Sequence, residues 1–314
     1  KIVFLNFEFN ESEKILKKAQ ALPDLDINLE KLDDDMKDFD SSLSQDVFED
    51  RVEKLKEHIF AGDVFQAICS NEFSREIGDR DGLEFYEYLR VLEPTTHLVF
   101  YDFGDRGQIG CASPEILGSK RGSKVLYSPI AGTRYRGVDQ AEDLRILEEM
   151  KHCPKENAEH DMLIDLGRND LGQVCLPGSV KITREKYAKK FANVMHLVSD
   201  LEGEVREGVD SVDFFKSIFP IGTLTGAPKI RAIELIREAE QVPRGLYGGA
   251  LGYFSADGNM EFTIAIRSFF RHNNRAFFRV GAGIVQDSIP EREWLEIQNK
   301  AKSLVKVFNA VCDS

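Results

Sequence analysis

A chain of 314 residues, 42% of them hydrophobic, carries enough apolar side chain for one large core or two smaller ones. Its formal net charge of −13 is wrong for a nucleic-acid partner, whose phosphates demand a basic face, although a local cationic pocket or a metal can still hold a small anion. No apolar run approaches the length of a membrane span and no leader-like segment opens the chain, and five scattered cysteines (69, 111, 153, 175 and 312) read as reduced thiols of a cytoplasmic protein.

The chain opens on Lys1 without a Met, which reads as processing, truncation or an upstream segment. KIVFLNFEF is strand-like, and the acidic stretch 24–44 reads as a solvated linker, so residues 1–45 are expected to be an N-terminal remnant and 46–314 the working domain. A helix should follow with Phe48, Val52, Leu55 and Ile59 on one face, then a strand at VFQAICS, a helix over 83–92, and strands at HLVFYDF and GQIGCAS. PIAGTRYRG (129–137) reads as a loop that aims donors at an anion. Helices are expected near 140–151 and 155–166, a strand at NVMHLVSDLEGEV, and helices near 210–217 and 228–240. The last third reads as strands folded about Ala-Asp-Gly-Asn (256–259), a further strand at RAFFRVGAGIV, and a long helix from Pro290. Strands joined by hairpins make antiparallel sheet, so the fold class is α+β, with large antiparallel sheets covered by helices.

Several constellations stand out. In PKENAEHDML, Glu156 and Glu159 share a helix face and are either a solvated acidic surface, with a Lys155–Glu159 pair, or ligands. In DSIPEREWLEIQNKA, Asp287 or Ser288 can cap, and Glu293, Glu296 and Lys300 form a stripe that borders the apolar one. Two such carboxylate pairs would form a self-repelling nest suited to Mg²⁺. GTLTGAPKIRA sets Gly226 and Ala227 before Pro228 at a helix start, a capped helix or an anion site, with the Thr223 and Thr225 hydroxyls nearby. His196 lies in an apolar strand, Arg267 ends TIAIR, Tyr247 follows RGL, and Gly281 and Gly283 let a ligand approach the backbone. His152, Cys153 and His160 lack the second half of a four-ligand zinc pattern.

PIAGTRYRG, AEHDMLIDLGRNDLG, NVMHLVSD, GTLTGAPKIRA, RGLYGGALGYFSADGN, TIAIRS and GAGIVQDS come in an order that resembles the chorismate-utilising enzymes, from about residue 46 to 310. Within that family the chain is most similar to the large subunit of anthranilate synthases. The resemblance implies an α/β sandwich that binds chorismate with Mg²⁺. Glu159 and Glu296 would hold the metal directly, and Glu156 and Glu293 through water. Gly132, Thr133 and Gly283 would border the ring site, and Tyr247 and Arg267 would grip the enolpyruvyl carboxylate. Thr223 would hydrogen-bond the substrate, Lys300 would help hold the ring carboxylate, and His196 would assist departure of the ring hydroxyl.

Aminodeoxychorismate synthases typically carry a covalent-bonding Lys where this chain has Ala131, and isochorismate and salicylate synthases a water-activating Lys where it has Gln66. Ammonia is therefore the expected nucleophile and anthranilate the expected product, with aminodeoxychorismate the alternative and isochorismate or salicylate the remoter ones. No cysteine sits in a Gly-x-Cys-x-Gly elbow, so a separate glutamine amidotransferase subunit is the expected ammonia source. The Leu-Leu-Glu-Ser element of tryptophan-inhibited relatives is absent, and their Asn-Pro-Ser-Pro-Tyr stretch is matched only by LEPTTHLVF (92–100), so the resemblance does not extend to tryptophan feedback.

Overall fold

A computed structural model describes residues 32–190, 194–240 and 242–313. The expected N-terminal strand and most of the proposed remnant 1–45 lie outside them, as do the side chains of Thr133 and Lys155. In chain order the elements begin with β1 (Asp40–Ser41), α1 (Gln45–Phe60), β2 (Gln66–Glu76), α2 (Gly82–Leu92), β3 (His97–Asp102), β4 (Gln108–Ser113), β5 (Ile116–Arg121), β6 (Lys124–Tyr127) and β7 (Ile130–Tyr135). They continue with α3 (Gln140–His152), α4 (Pro154–Gly172), β8 (Lys181–Lys190), β9 (Val194–Glu204), α5 (Ser211–Ile218), β10 (Gly226–Ala227) and α6 (Lys229–Glu240). The chain closes with β11 (Ala250–Phe254), β12 (Met260–Ile264), β13 (Ser268–His272), β14 (Arg275–Ile284) and α7 (Pro290–Cys312).

The strands form two antiparallel sheets, as the hairpin pattern implied. The first runs β1-β2-β14-β13-β4-β3, with β10 also on β2; the second runs β11-β12-β5-β6-β9-β7, with β8 on the other edge of β9. Within TIAIRSFF the chain passes from one sheet to the other: β12 belongs to the second sheet and β13 to the first. The chain turns between them at Arg267, whose φ of +49° is left-handed, so Arg267, expected to end a strand, lies just past β12 in the corner between the sheets.

One face of the first sheet packs on α1, α2 and α7 through Phe48, Phe73, Phe85, Phe269, Phe278 and Phe308, all at most 3% exposed. α1 exists because Phe48, Val52 and Leu55 recur at helical spacing and bury on that face. α7 does the same with Ile297, Ala301, Leu304 and Phe308, but its cap is Ile289; Ser288 instead accepts from the Val285 amide at 3.1 Å. β2 and β14 pair over ten residues, from Arg275↔Glu76 to Ile284↔Ala67. Side chains alternate along a strand, so Phe73 and Phe278 point to the helices while Gln66, Ser70, Gly281 and Gly283 share the opposite face. That second face is the floor of the candidate site.

Candidate active site

β7 supplies the first wall. PIAGTRYRG was expected to be a loop, yet Ile130–Tyr135 is a strand paired with β9. Its turn-like Gly132 makes a bulge between Ala131 and Thr133, at φ +66°, where Thr133 lies opposite His196. A Cβ at Gly132 would stand 3.1 Å from the Glu156 Oε2, so the absence of a side chain lets α4 approach the strand. Beyond β7 the chain is clamped to α3: the nearly inaccessible Asp143 accepts from Arg136 at 2.9 Å, Lys190 at 3.1 Å and the Gly137 amide at 2.9 Å. The Arg136 guanidinium holds the Asp143 carboxyl well below the usual carboxylate range.

α4, with Pro154 in its first turn, brings Glu156 and Glu159 to this wall and to β2. Arg134 meets Glu156 at 2.5 Å, and the Gln66 amide donates to Glu159 at 3.3 Å. The buried Oε2 of Glu156 and Oε1 of Gln66 have no hydrogen-bond partner among the described residues. Gly283 leaves the room that Gln66 needs, since a Cβ there would stand 2.5 Å from the Gln66 nitrogen. From α7, Glu293 is buried, while Glu296 is paired with Lys300 at 2.7 Å. Lys300 also donates to the Gly281 carbonyl at 2.8 Å, which ties α7 to the floor.

The expected nest of four carboxylates is therefore not assembled as such. Among the described residues no three His, Cys, Asp or Glu side chains are gathered closely enough to hold a metal, and Arg134 and Lys300 each neutralise one glutamate. The donor chemistry still suits a hard cation, and the unsatisfied Glu156 oxygen is the kind of atom such an ion would complete. The zinc alternative finds no support: His160 is fully buried and bonded to Ser199 at 2.7 Å, whereas His152 is exposed on α3.

The second sheet contributes His196 and Glu115. Burial brings the His196 imidazole down to about 4, against a hydrogen bond to the Gly132 backbone that raises it. The ring is thus neutral near pH 7. Glu115, which the sequence reading missed, is buried between β4 and β5 and accepts from the Thr223 hydroxyl at 2.9 Å. Burial pushes its carboxyl up to about 8, although the Thr223 hydrogen bond pulls the other way. Lys189, opposite His196 on β8, lies within electrostatic reach of both Glu115 and His196. The signal for Glu115 was a lone acid inside the apolar run GQIGCASPEIL, with no basic neighbour to neutralise it.

Tyr247 and Arg267 complete the surround. A Cβ at Gly281 would stand 2.7 Å from the Tyr247 hydroxyl, so that phenol rests on the glycine. Burial raises its pKa above the ordinary phenol value. Arg267 donates to the Lys300 carbonyl at 2.7 Å and lies 3.7 Å from Glu93. Gly226 and Ala227 do not flank an open anion site: they pair with β2 as β10, and α6 begins after Pro228 at Lys229.

The candidate site thus gathers a buried acid, Glu115, a buried imidazole, His196, and the glutamates of α4 and α7. The chain belongs to the chorismate binding enzyme family, whose model matches residues 3–306. It is 42% identical over 300 residues to anthranilate synthase component 1 of Aquifex aeolicus, covering 95% of this chain and 60% of that protein. It is 45% identical over 271 residues to the same component of Neisseria gonorrhoeae, covering 86% and 55%. The crystal structure of anthranilate synthase component I from Streptococcus pneumoniae superposes with a TM-score of 0.81 at 40% identity, covering 93% of this chain and 64% of that one. The chain thus spans little more than half the length of the curated relatives it matches. No helix among the described residues is long and apolar enough to cross a membrane.

Proposed function

We propose that this chain carries out the chorismate chemistry of an anthranilate synthase: ammonia and chorismate give anthranilate, pyruvate and water, feeding tryptophan formation. The observation that carries the reading is the absence of an amine where a competing nucleophile would be needed. Ala131 is buried and inert, and Gln66 is a buried amide that donates to Glu159 and has no basic nitrogen. Ammonia then has to come from outside the chain, and a glutamine amidotransferase subunit is its source in this reading.

Ammonia forms the new C–N bond as the ring hydroxyl departs. Glu115 is protonated at neutral pH and gives that hydroxyl its proton, so that it leaves as water, while Thr223 orients the carboxyl. His196, which the resemblance gave a part in departure of the ring hydroxyl, is neutral and donates its N–H to Gly132, so it has no spare proton for that step, and its other nitrogen is an acceptor for the ring proton lost in the second stage. The enolpyruvyl group leaves as the pyruvate enolate, which takes a proton to become pyruvate, and the ring becomes aromatic. Tyr247 and Arg267 grip the enolpyruvyl carboxylate, Lys300 the ring carboxylate, and Gly132, Thr133 and Gly283 border the ring. Glu159 and Glu296 would hold Mg²⁺, with Glu156 and Glu293 acting through water; when bound, the ion supplies positive charge for the ring carboxylate.

The test is to incubate the purified chain with chorismate, Mg²⁺ and ammonium and identify the product. Ortho-aminobenzoate with free pyruvate is expected, and none when glutamine alone is the donor. A para-amino product, isochorismate or salicylate, or glutamine-driven turnover without a partner, would overturn the reading.

A further inference from the structure

We propose that Arg244 is a positioning residue that sets the spacing between Tyr247, Thr223 and the β2 floor. The loop that carries Tyr247 is tied to the segment after β12 only on the C-terminal side of the phenol, by the Gly248 amide on the Ala265 carbonyl at 3.0 Å and the Ala265 amide on the Gly249 carbonyl at 2.8 Å. Gly245 and Gly248 both hold positive φ, at +60° and +74°, and glycine is the residue whose backbone costs most to order. The loop is also poorly packed on one side, where a cavity of about 330 Å³ is bordered by Arg244, Tyr247, Phe270, Phe277 and Arg279. Tyr247 packs against the core of the second sheet, and a directional anchor beside the cavity adds to that packing.

Arg244 has the hydrogen bonds to do it. Its Nε donates to the Glu240 Oε2 at 2.7 Å, and its Nη2 donates to the Glu240 Oε1 at 2.6 Å and to the Ile68 carbonyl at 3.0 Å. Its Nη1 donates to the Leu224 carbonyl at 2.6 Å. Each acceptor lies in a different segment of the candidate site. Leu224 follows Thr223, the partner of Glu115. Ile68 is on the floor strand, opposite Gly283. Glu240 ends α6 and is itself fixed on β2 by the Ser70 amide at 3.1 Å and hydroxyl at 2.6 Å. A planar fork can reach three segments at once; a lysine ammonium on a flexible stem cannot reproduce that span.

The inference rests on the anthranilate-forming reading, and the experiment separates the two. The chain is assayed with chorismate, Mg²⁺ and ammonium as wild type, Arg244→Lys, Arg244→Ala and Arg75→Lys. Arg75 is a clamp at the far end of β2, more buried than Arg244, bonded to Asn309 at 2.6 Å and Asp313 at 2.8 Å, and it controls for lost stability. The expected result is a fall in kcat/KM of about 10²-fold for both Arg244 variants, the scale of a small misplacement of reacting groups. Methylguanidinium at non-denaturing concentration should restore part of it in Arg244→Ala and none in Arg244→Lys. Arg75→Lys should keep kcat/KM despite a lower Tm. Kinetics for Arg244→Lys within twofold of wild type, or a loss in Arg75→Lys that matches its drop in Tm, would overturn the positioning role. If Arg244→Ala is insoluble, Arg244→Lys decides. A wild-type chain that makes no anthranilate would instead remove the functional reading itself.

Discussion

The two faces of the first sheet are built on opposite terms. Toward α1, α2 and α7 the layer is dry and aromatic: the Phe85 and Phe308 rings lie 4.9 Å apart, Phe73 stacks on Phe278 at 5.5 Å, and Phe269 meets Phe308 edge-on. Toward the second sheet the same strands present glycines, a buried glutamine with an unsatisfied oxygen, and a seam that includes a carboxyl kept protonated by burial. β14 serves both, with Phe278 on one side and Gly281 and Gly283 on the other. Stability is concentrated on the ring-filled face, which lets the other face hold strained and unsatisfied groups that a core would not tolerate.

Substitutions on each face should therefore separate activity from stability. The largest effect is expected from Glu115→Gln, which keeps shape but cannot give up a proton: kcat should fall by about 10²- to 10⁴-fold. Its Tm should hold or rise near pH 8, because the wild-type carboxyl pays for burial there. Folding lifts this carboxyl from 4.5 to about 8, so its contribution to stability is fully present below 4.5 and is lost as pH rises through about 8. Ammonium-driven turnover should accordingly climb with pH as free ammonia grows, then fall as Glu115 ionises. An unchanged kcat in Glu115→Gln would dissolve the contrast between the faces.

Phe308→Ala tests the opposite side. Truncating a fully buried ring should cost about 3–5 kcal/mol in denaturant unfolding while leaving kcat per folded molecule near wild type. A fall in kcat larger than the fall in folded fraction would show that the dry face is coupled to the seam.

The smallest effect is expected where a protein cation holds a carboxylate. Arg134 is 45% exposed and paired with Glu156, so Arg134→Gln should tighten Mg²⁺ binding, measured by calorimetry without substrate, by no more than about fivefold. Weaker binding in the variant would mean that Arg134 supports the ion rather than competing with it.

Much of the architecture was legible in the sequence because burial imposes a period. The helices were found from apolar stripes, and the 256–259 turn gave the β11–β12 hairpin. β8 escaped notice because KITREKYAKK is charged and largely solvent-facing, leaving no apolar alternation to read. β7 was hidden because Gly132, a turn residue by type, serves as a bulge inside a strand. Arg267 was legible as the end of TIAIR, but nothing in the residue types marks the switch between sheets there. The candidate site was legible as residues but not as partnerships. That Arg134 pairs with Glu156, that Thr223 pairs with Glu115, and that Arg244 spans three segments are facts of tertiary approach, which spacing along a chain does not encode.

The pairing of β2 with β14 also governs how the molecule comes into being. The two strands are separated by about two hundred residues, so a contact of very high sequence separation lies at the centre of the first sheet. During synthesis β2 emerges about two hundred residues ahead of β14 and has to wait, one edge open, until the intervening stretch has been made. During that interval AICS and its neighbours are an adhesive strand without their long partner. A chain interrupted before Arg275 would lose more than a strand: it would leave Gln66 without the glycine surface beside it and the aromatic face of the first sheet without α7 to cover it. Nascent chains that end between β2 and β14 should consequently depend on holding factors until β14 emerges, and the site should appear in one step with closure of the sheet.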